Sequence, residues 1–336
     1  MTARKQILVT GGAGYIGSHM VLALLDAGET PVVLDNLSTG TRLAVPADVP
    51  FYEGDCGDPS LVESIIRERD IDTIIHFAAS IVVPVSVADP LAYYENNTVK
   101  SRSLIERAVR AGVSTFIFSS TAAVYGNPES VPVREDSLTS PINPYGRSKL
   151  MTEWMLSDTA HARPLKYFAL RYFNVAGADP AGRSGQSSPD ATHLIKVAVQ
   201  AATGKRSGMD VFGTDYPTPD GSCVRDYVHV SDLAQAHLDA LRHLRGGGES
   251  AVSNIGYGHG FSVLEVIEAV KKESGVDFEV RLKDRRSGDP AVLVASNERA
   301  QSLLKWTPRY DSLPVIIRDA LAWERKLSER LSAGRT

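Results

Sequence analysis

Cysteine is nearly absent from this 336-residue chain. Cys56 and Cys223 are the only two, too few for a disulfide framework and without the close spacing of a zinc site. A reducing cytosol is the expected surrounding, and no metal is expected. No apolar run approaches the roughly 20 residues that a membrane helix needs. The longest, Phe77 to Ala88, is broken by Ser80, Pro84 and Ser86. A signal-peptide core is missing too, because only Ile7, Leu8 and Val9 stand between the basic opening and the first glycines. Neither sign of charge is in excess: 36 Lys and Arg face 40 Asp and Glu. No global basic field therefore draws the chain to nucleic acid or an anionic membrane, and an anionic ligand has to be met by local charges.

What is present suits a globular protein. Apolar residues make up 43% and charged residues 23%, enough for a sizeable core in one large or two intimately packed domains. Up to about residue 175, short apolar runs alternate with helical periodicity, the rhythm of βαβ units and a parallel sheet. Strands are predicted at Gln6 to Thr10, Pro31 to Asp35, Thr73 to Phe77, Thr115 to Ser119 and Leu165 to Arg171. Helices are predicted at Ile16 to Leu25, Leu61 to Ile66 and Val99 to Val109. The Gly, Ser, Pro and Asp of Ala178 to Ser188 predict a loop and a boundary. Beyond it, helices are expected at Ser231 to Leu244 and Ser262 to Ser274, each opened by a capping serine, and at Leu313 to Leu327.

The segment Gly11-Gly12-Ala13-Gly14-Tyr15-Ile16-Gly17 joins the first strand to the first helix. Glycines at 11, 14 and 17 meet three needs: a tight turn, close backbone approach to a pyrophosphate, and helix packed on strand. An acid, Asp35, closes the second strand 18 residues past Gly17, placed to accept ribose hydroxyls. This predicts a dinucleotide site on an α/β, Rossmann-type doubly wound sheet.

Downstream, Asn143 and Pro144 can start a helix that carries Tyr145 and Lys149 on one face. A phenol of pKa about 10 needs roughly 4 kcal/mol of differential stabilisation to fall three units. Lys149 and a positive nicotinamide are the expected sources. Thr121 follows the strand ending at Ser119 and so belongs at the carboxyl edge, where such sheets bind ligands; its hydroxyl can relay between a substrate hydroxyl and Tyr145.

Together these residues resemble the extended short-chain dehydrogenase/reductase superfamily, whose members process nucleotide sugars on tightly held NAD. The likeness sharpens in Tyr93-Tyr94-Glu95-Asn96-Asn97, in Arg171-Tyr172-Phe173-Asn174 and in the long run Phe212 to Tyr227, which is similar to the UDP-hexose 4-epimerases of that superfamily. It covers Ile7 to about Trp323. The resemblance implies that Tyr15, Ile16, Asn36, Ser119 and Tyr172 join the three glycines, Asp35, Tyr145 and Lys149 around NAD. It also implies that Asp55 and Cys56 flank the adenine, that Phe77, Ala78 and Ala79 line the cofactor, and that Asn96 touches it. The implied UDP-sugar set is Thr121, Tyr145, Asn174, Phe212, Arg225, Arg286 and Asp289, the arginines offering forked donors to diphosphate oxygens.

The implied division is an NAD-binding domain over 1–177 and a smaller α/β, mainly UDP-sugar-binding subdomain over 178–336, some segments of which return to the first. The implied reaction is interconversion of UDP-glucose and UDP-galactose, in a cytoplasmic homodimer that pairs the helices starting near Leu91 and Tyr145. Other nucleotide-sugar epimerases, decarboxylases and 4,6-dehydratases are alternatives, as is a non-catalytic NAD sensor. A dehydratase needs an Asp-Glu pair after the strand-end threonine, where this chain has Ala122-Ala123. Two departures stand out. Ile81 occupies a position where some members carry lysine, and His193 one where some carry asparagine. His76 and His229, in apolar strand settings, are expected to be packed and hydrogen-bonded.

A 2′-phosphate set against Asp35 costs about 4 kcal/mol per unit charge at an effective dielectric of 20. Competition titration of cofactor-free protein should therefore show NAD binding about a hundredfold or more tighter than NADP. Equal affinities would remove Asp35 from the ribose site.

Overall fold

Strands that are apolar along their whole length need cover on both faces, and the chain supplies it from both of its halves. The computed structural model describes residues 5–188, 192–286 and 289–333. In the first half the order is β1 (Gln6–Thr10), α1 (Tyr15–Asp26), β2 (Pro31–Asp35), β3 (Phe51–Glu53), α2 (Pro59–Glu68), β4 (Ile71–His76), α3 (Val83–Ala88), α4 (Pro90–Tyr94), α5 (Lys100–Arg110), β5 (Thr115–Ser119), α6 (Pro144–Ala162) and β6 (Lys166–Tyr172). Next come β7 (Asn174–Ala176), α7 (Leu194–Ala202), β8 (Gly208–Phe212), β9 (Val224–Arg225), β10 (Tyr227–His229), α8 (Val230–Arg245) and β11 (Ala251–Ile255). The last elements are β12 (Phe261–Ser262), α9 (Val263–Ser274), β13 (Glu279–Lys283), β14 (Val292–Leu293) and α10 (Leu313–Ala333).

Seven strands form one all-parallel sheet in the order β11-β6-β5-β4-β1-β2-β3. Alternation along β1 separates the two cores: Ile7 and Val9 join the cluster under α1, α7 and α8, while Leu8 joins the one under α2 and α5. The second half adds β7 with β10, β8 with β13, and β12-β9-β14 as small separate pairings. Its strand β11 nonetheless pairs with β6, so the main sheet is completed from beyond residue 250.

Several boundaries differ from the sequence expectation. β4 ends at His76, and Phe77 begins the following loop; β4 itself starts earlier, at Ile71. Ser231 lies inside α8, because His229 takes the cap position and its Nδ1 accepts the Ser231 amide at 3.1 Å. Ser262 does cap α9, in a reciprocal box with Glu265. The helix expected from Val99 starts at Lys100, after a π-helical turn over Glu95–Val99 that links it to α4. Strands β3 and β11 have no expected counterpart.

His19, His76 and His237 are buried uncharged. His76 is held between the Thr10 and Ser101 hydroxyls at 2.7 and 2.9 Å. His229, also buried, packs against Asp319 at 3.1 Å. Burial pushes His76 down to about 3 and both His19 and His237 to about 4. Their unfolded value is about 6.5, so the stability they contribute is complete above pH 6.5 and is lost as pH falls through their folded values, the unfolded chain binding more protons. Urea midpoints should fall between pH 6.5 and 5, and His237→Gln should reduce that slope by about one proton. An unchanged slope would exclude His237 from the linkage.

Candidate active site

At the carboxyl edge of β1, Gly11 adopts φ +73°, and a Cβ there would lie 2.6 Å from the Ala78 backbone nitrogen. A Cβ at Gly17 would run into the carbonyl oxygen of Gly11. Gly14 occupies the cap position of α1 without a side-chain cap, so the first amides of the helix are left to an anion. The Asp35 carboxylate, buried at the end of β2, accepts the Ala13 amide at 2.9 Å and the Leu37 amide at 2.8 Å. A glycine cradle closed to any Cβ, free helix amides and a carboxylate fixed at the strand end fit a dinucleotide. Tyr15 anchors the far side of the loop by donating to the Gly177 carbonyl at 2.7 Å.

The other expected cofactor residues surround this edge. Asp55 pairs with Lys100 at 2.5 Å, and Cys56 is pushed up to about 12 by burial, which makes its thiol unreactive. Phe77 packs against His237 with ring centres 4.9 Å apart and the rings tilted by 39°. Asn36 is exposed and turns back on the Ser38 amide. Asn96 donates to the Ser80 hydroxyl at 3.0 Å. Its neighbour Asn97, not singled out from the sequence, is the buried organiser. Its side chain bonds both the amide and the carbonyl of Ser80, at 2.8 and 2.9 Å, and reaches the Ser148 hydroxyl on α6 at 3.1 Å. Its only sequence signal was its place at the end of the Tyr93-Tyr94-Glu95-Asn96-Asn97 run, which gave it no role.

Asn143 caps α6 through the Gly146 amide at 2.9 Å, with Pro144 opening the helix. This turns Tyr145 and Lys149 toward the end of β5. Lys149 donates to the Ser119 carbonyl at 2.9 Å, Ser119 Oγ lies 2.6 Å from the Tyr172 hydroxyl, and the Thr121 hydroxyl lies beside the Tyr145 phenol, where it favours the phenolate. These five residues are therefore brought together. Their titration differs from the sequence expectation. Burial pushes Tyr145 up to about 12, opposed by the neighbouring Thr121 hydroxyl, and burial also pushes Lys149 down to about 7. Among the described residues no cation faces the phenol closely enough to offset its loss of water. Bringing a phenol at about 12 to neutrality takes five units, roughly 7 kcal/mol.

The expected substrate residues fall into two pairs and a bridge. The Arg286 guanidinium sits 3.6 Å from the Phe212 ring centre, and Arg225 lies 3.6 Å from Asp289. Asn174 follows Tyr172 by two residues and donates its amide to the Asp226 carbonyl at 2.9 Å, next to Arg225. Arg285, missed from the sequence, clasps Asp215 at 2.6 Å and covers the Tyr216 ring at 4.1 Å. His193 stands at the start of α7, lowered by burial, and Ile81 is exposed. Among the described residues no cluster could hold a metal ion, and no helix is long and apolar enough to cross a membrane.

Residues 7–256 match the model of the NAD dependent epimerase/dehydratase family. A UDP-glucose 4-epimerase of Azospirillum brasilense is 57% identical over 97% of this chain and 94% of its own. The solved UDP-glucose 4-epimerase of Brucella ovis in complex with NAD superposes with a TM-score of 0.92 at 43% identity, over 95% of this chain and 98% of its own. That of Bifidobacterium longum, in complex with NAD+ and UDP, gives 0.91 at 36% identity over 96% and 98%.

The Thr121 hydroxyl opposes the upward shift of Tyr145. Thr121→Ser keeps that hydroxyl and Thr121→Val keeps only the shape, so steady-state assays should find Val about tenfold or more slower than Ser. Equal rates would make Thr121 a packing residue.

Proposed function

Because the chain belongs to the NAD dependent epimerase/dehydratase family, we propose that it interconverts UDP-glucose and UDP-galactose by transient oxidation at C4 of the sugar. The observation that carries this reading is the convergence of Thr121, Tyr145, Lys149 and Ser119 at the carboxyl edge of β5, beside the glycine cradle. Bound NAD supplies a reversible two-electron acceptor for C4. Asp35 and the α1 amides hold its ribose and diphosphate.

Tyr145, as phenolate, takes the proton of the 4-hydroxyl, with Thr121 relaying between sugar and phenol. Lys149, fixed by the Ser119 carbonyl, and the positive nicotinamide of bound NAD would together supply the charge that favours the phenolate, since no side chain alone does so. Asn174, Phe212, Arg225, Arg286 and Asp289 grip UDP, so the 4-keto ring can turn while its nucleotide stays bound. Tyr145 then returns its proton to the new 4-hydroxyl as C4 is reduced on the opposite face. Residues 1–177 serve chiefly NAD and 178–336 chiefly the UDP-sugar, with β11 returned to the cofactor sheet.

A dehydratase is disfavoured because Ala122 and Ala123, which start the 3₁₀ turn over Ala122–Tyr125, have no proton to transfer. A homodimer is supported by Leu91, Val99 and Trp154, which are 78%, 49% and 57% exposed on the helical face running from α4 through the π turn and on α6. Two buried free thiols, Cys56 and Cys223, suit a cytoplasmic role in nucleotide-sugar supply.

The test is UDP-galactose carrying deuterium at C4, incubated with purified protein and no added cofactor. The label should reappear at C4 of UDP-glucose in the same molecule. A 4-keto-6-deoxy product labelled at C6 would identify a dehydratase, and a requirement for stoichiometric added NAD an ordinary dehydrogenase.

A further inference from the structure

Glu153 lies on α6 four residues beyond Lys149 and eight beyond Tyr145, on the same helical face. Its carboxylate is buried, and Arg171 of β6 grips it through Nε at 3.0 and 3.2 Å and a terminal nitrogen at 2.6 Å. The Ser120 hydroxyl donates to the same carboxylate. Arg171 also donates to the Tyr125 hydroxyl at 3.0 Å, which in turn donates to Asn254 of β11 at 2.7 Å.

Each partner is the chain neighbour of a site residue. Ser120 stands between Ser119 and Thr121, and Arg171 immediately precedes Tyr172. One carboxylate thus joins the three segments that carry Tyr145 with Lys149, Ser119 with Thr121, and Tyr172. Stability alone does not account for such a pair, since a buried ion pair replaced by apolar residues of similar volume is often as stable or more so.

We propose that Glu153 is a positioning residue for the epimerisation, setting the register between α6 and the end of β5 so that the Thr121 hydroxyl meets the Tyr145 phenol. This rests on the reading of Tyr145 as the acid/base. Uncoupling the two segments moves the Thr121 hydroxyl away from the phenol, so proton transfer suffers while the NAD and UDP contacts, made by other residues, persist.

The test compares wild type, Glu153→Leu/Arg171→Leu, Ser120→Ala and Tyr145→Phe. The double variant leaves no unpaired buried charge, and Ser120→Ala removes a single hydroxyl and keeps the ion pair. Expected for the double variant are a thermal midpoint and bound NAD close to wild type, KM for UDP-glucose changed little, and kcat lower by about ten- to a hundredfold. Its kcat should also rise with pH at a higher pH than in wild type. Ser120→Ala should shift kcat and the pH profile the same way by a smaller factor. Wild-type kcat and pH profile in Ser120→Ala, or in a folded double variant, would overturn the positioning role. If the double variant fails to fold, Ser120→Ala alone decides. Near-normal turnover in Tyr145→Phe would instead overturn the acid/base reading itself, while an inactive Tyr145→Phe beside a fully active double variant would overturn only the role of Glu153.

Discussion

Between Gly17 and the carbonyl of Gly11 there is no space for a methyl group, and much of the site geometry descends from that contact. It seats the first turn of α1 on the end of β1. From there the Ala13 amide reaches the Asp35 carboxylate at 2.9 Å, which ties the end of β2 to the same crevice. The left-handed turn at Gly11 sets its backbone against Ala78, the residue that leaves β4 two positions after His76. Three strand ends are thereby locked around one opening, and a side chain larger than hydrogen at either glycine would pry them apart.

Electrostatically, burial moves Tyr145 and Lys149 in opposite directions, and both shifts favour the neutral form. The Ser119 carbonyl takes the lysine, and the Thr121 hydroxyl stands beside the phenol. Such a site is primed, because a charge appearing in it is weakly screened and acts strongly on its neighbour. Glu153 and Arg171 place a fully paired couple of charges a turn of helix below, where it holds segments together without adding net charge to the pocket.

Local signals carried the parts of this picture that depend on nearest neighbours. β1, β2 and β5 begin and end where their apolar runs do, because those runs are buried on both faces and stop at polar or turn-forming residues. The glycine cradle was legible because its spacing, strand and helix lie in one short segment, although the backbone that excludes a side chain at Gly11, that of Ala78, comes from 67 residues on. What escaped was non-local. β3 is only three residues long and half-exposed, with no run to announce it. The cap on α8 fell to His229, a residue type seldom read as a cap, because its ring was already fixed by Asp319. Asn97, Glu153 and Arg285 act through partners 17 to 70 residues away, so their spacing looked like ordinary helix or loop surface. The titration of Tyr145 misled because its spacing to Lys149 is visible in the chain and the loss of water around it is not.

The pairing of β11 with β6 sets an order for synthesis. As the chain leaves the ribosome, six strands of the sheet are available once residue 172 has emerged, yet the outer edge of β6 stays open until Ala251–Ile255 follow. During that interval a row of unpaired backbone donors and acceptors, flanked by Phe168 and Leu170, faces the cell. At about 5 to 20 residues per second the exposure lasts several seconds, long enough for another strand to compete for the edge. The later half therefore closes an edge that would otherwise template mispairing, as well as completing the pocket.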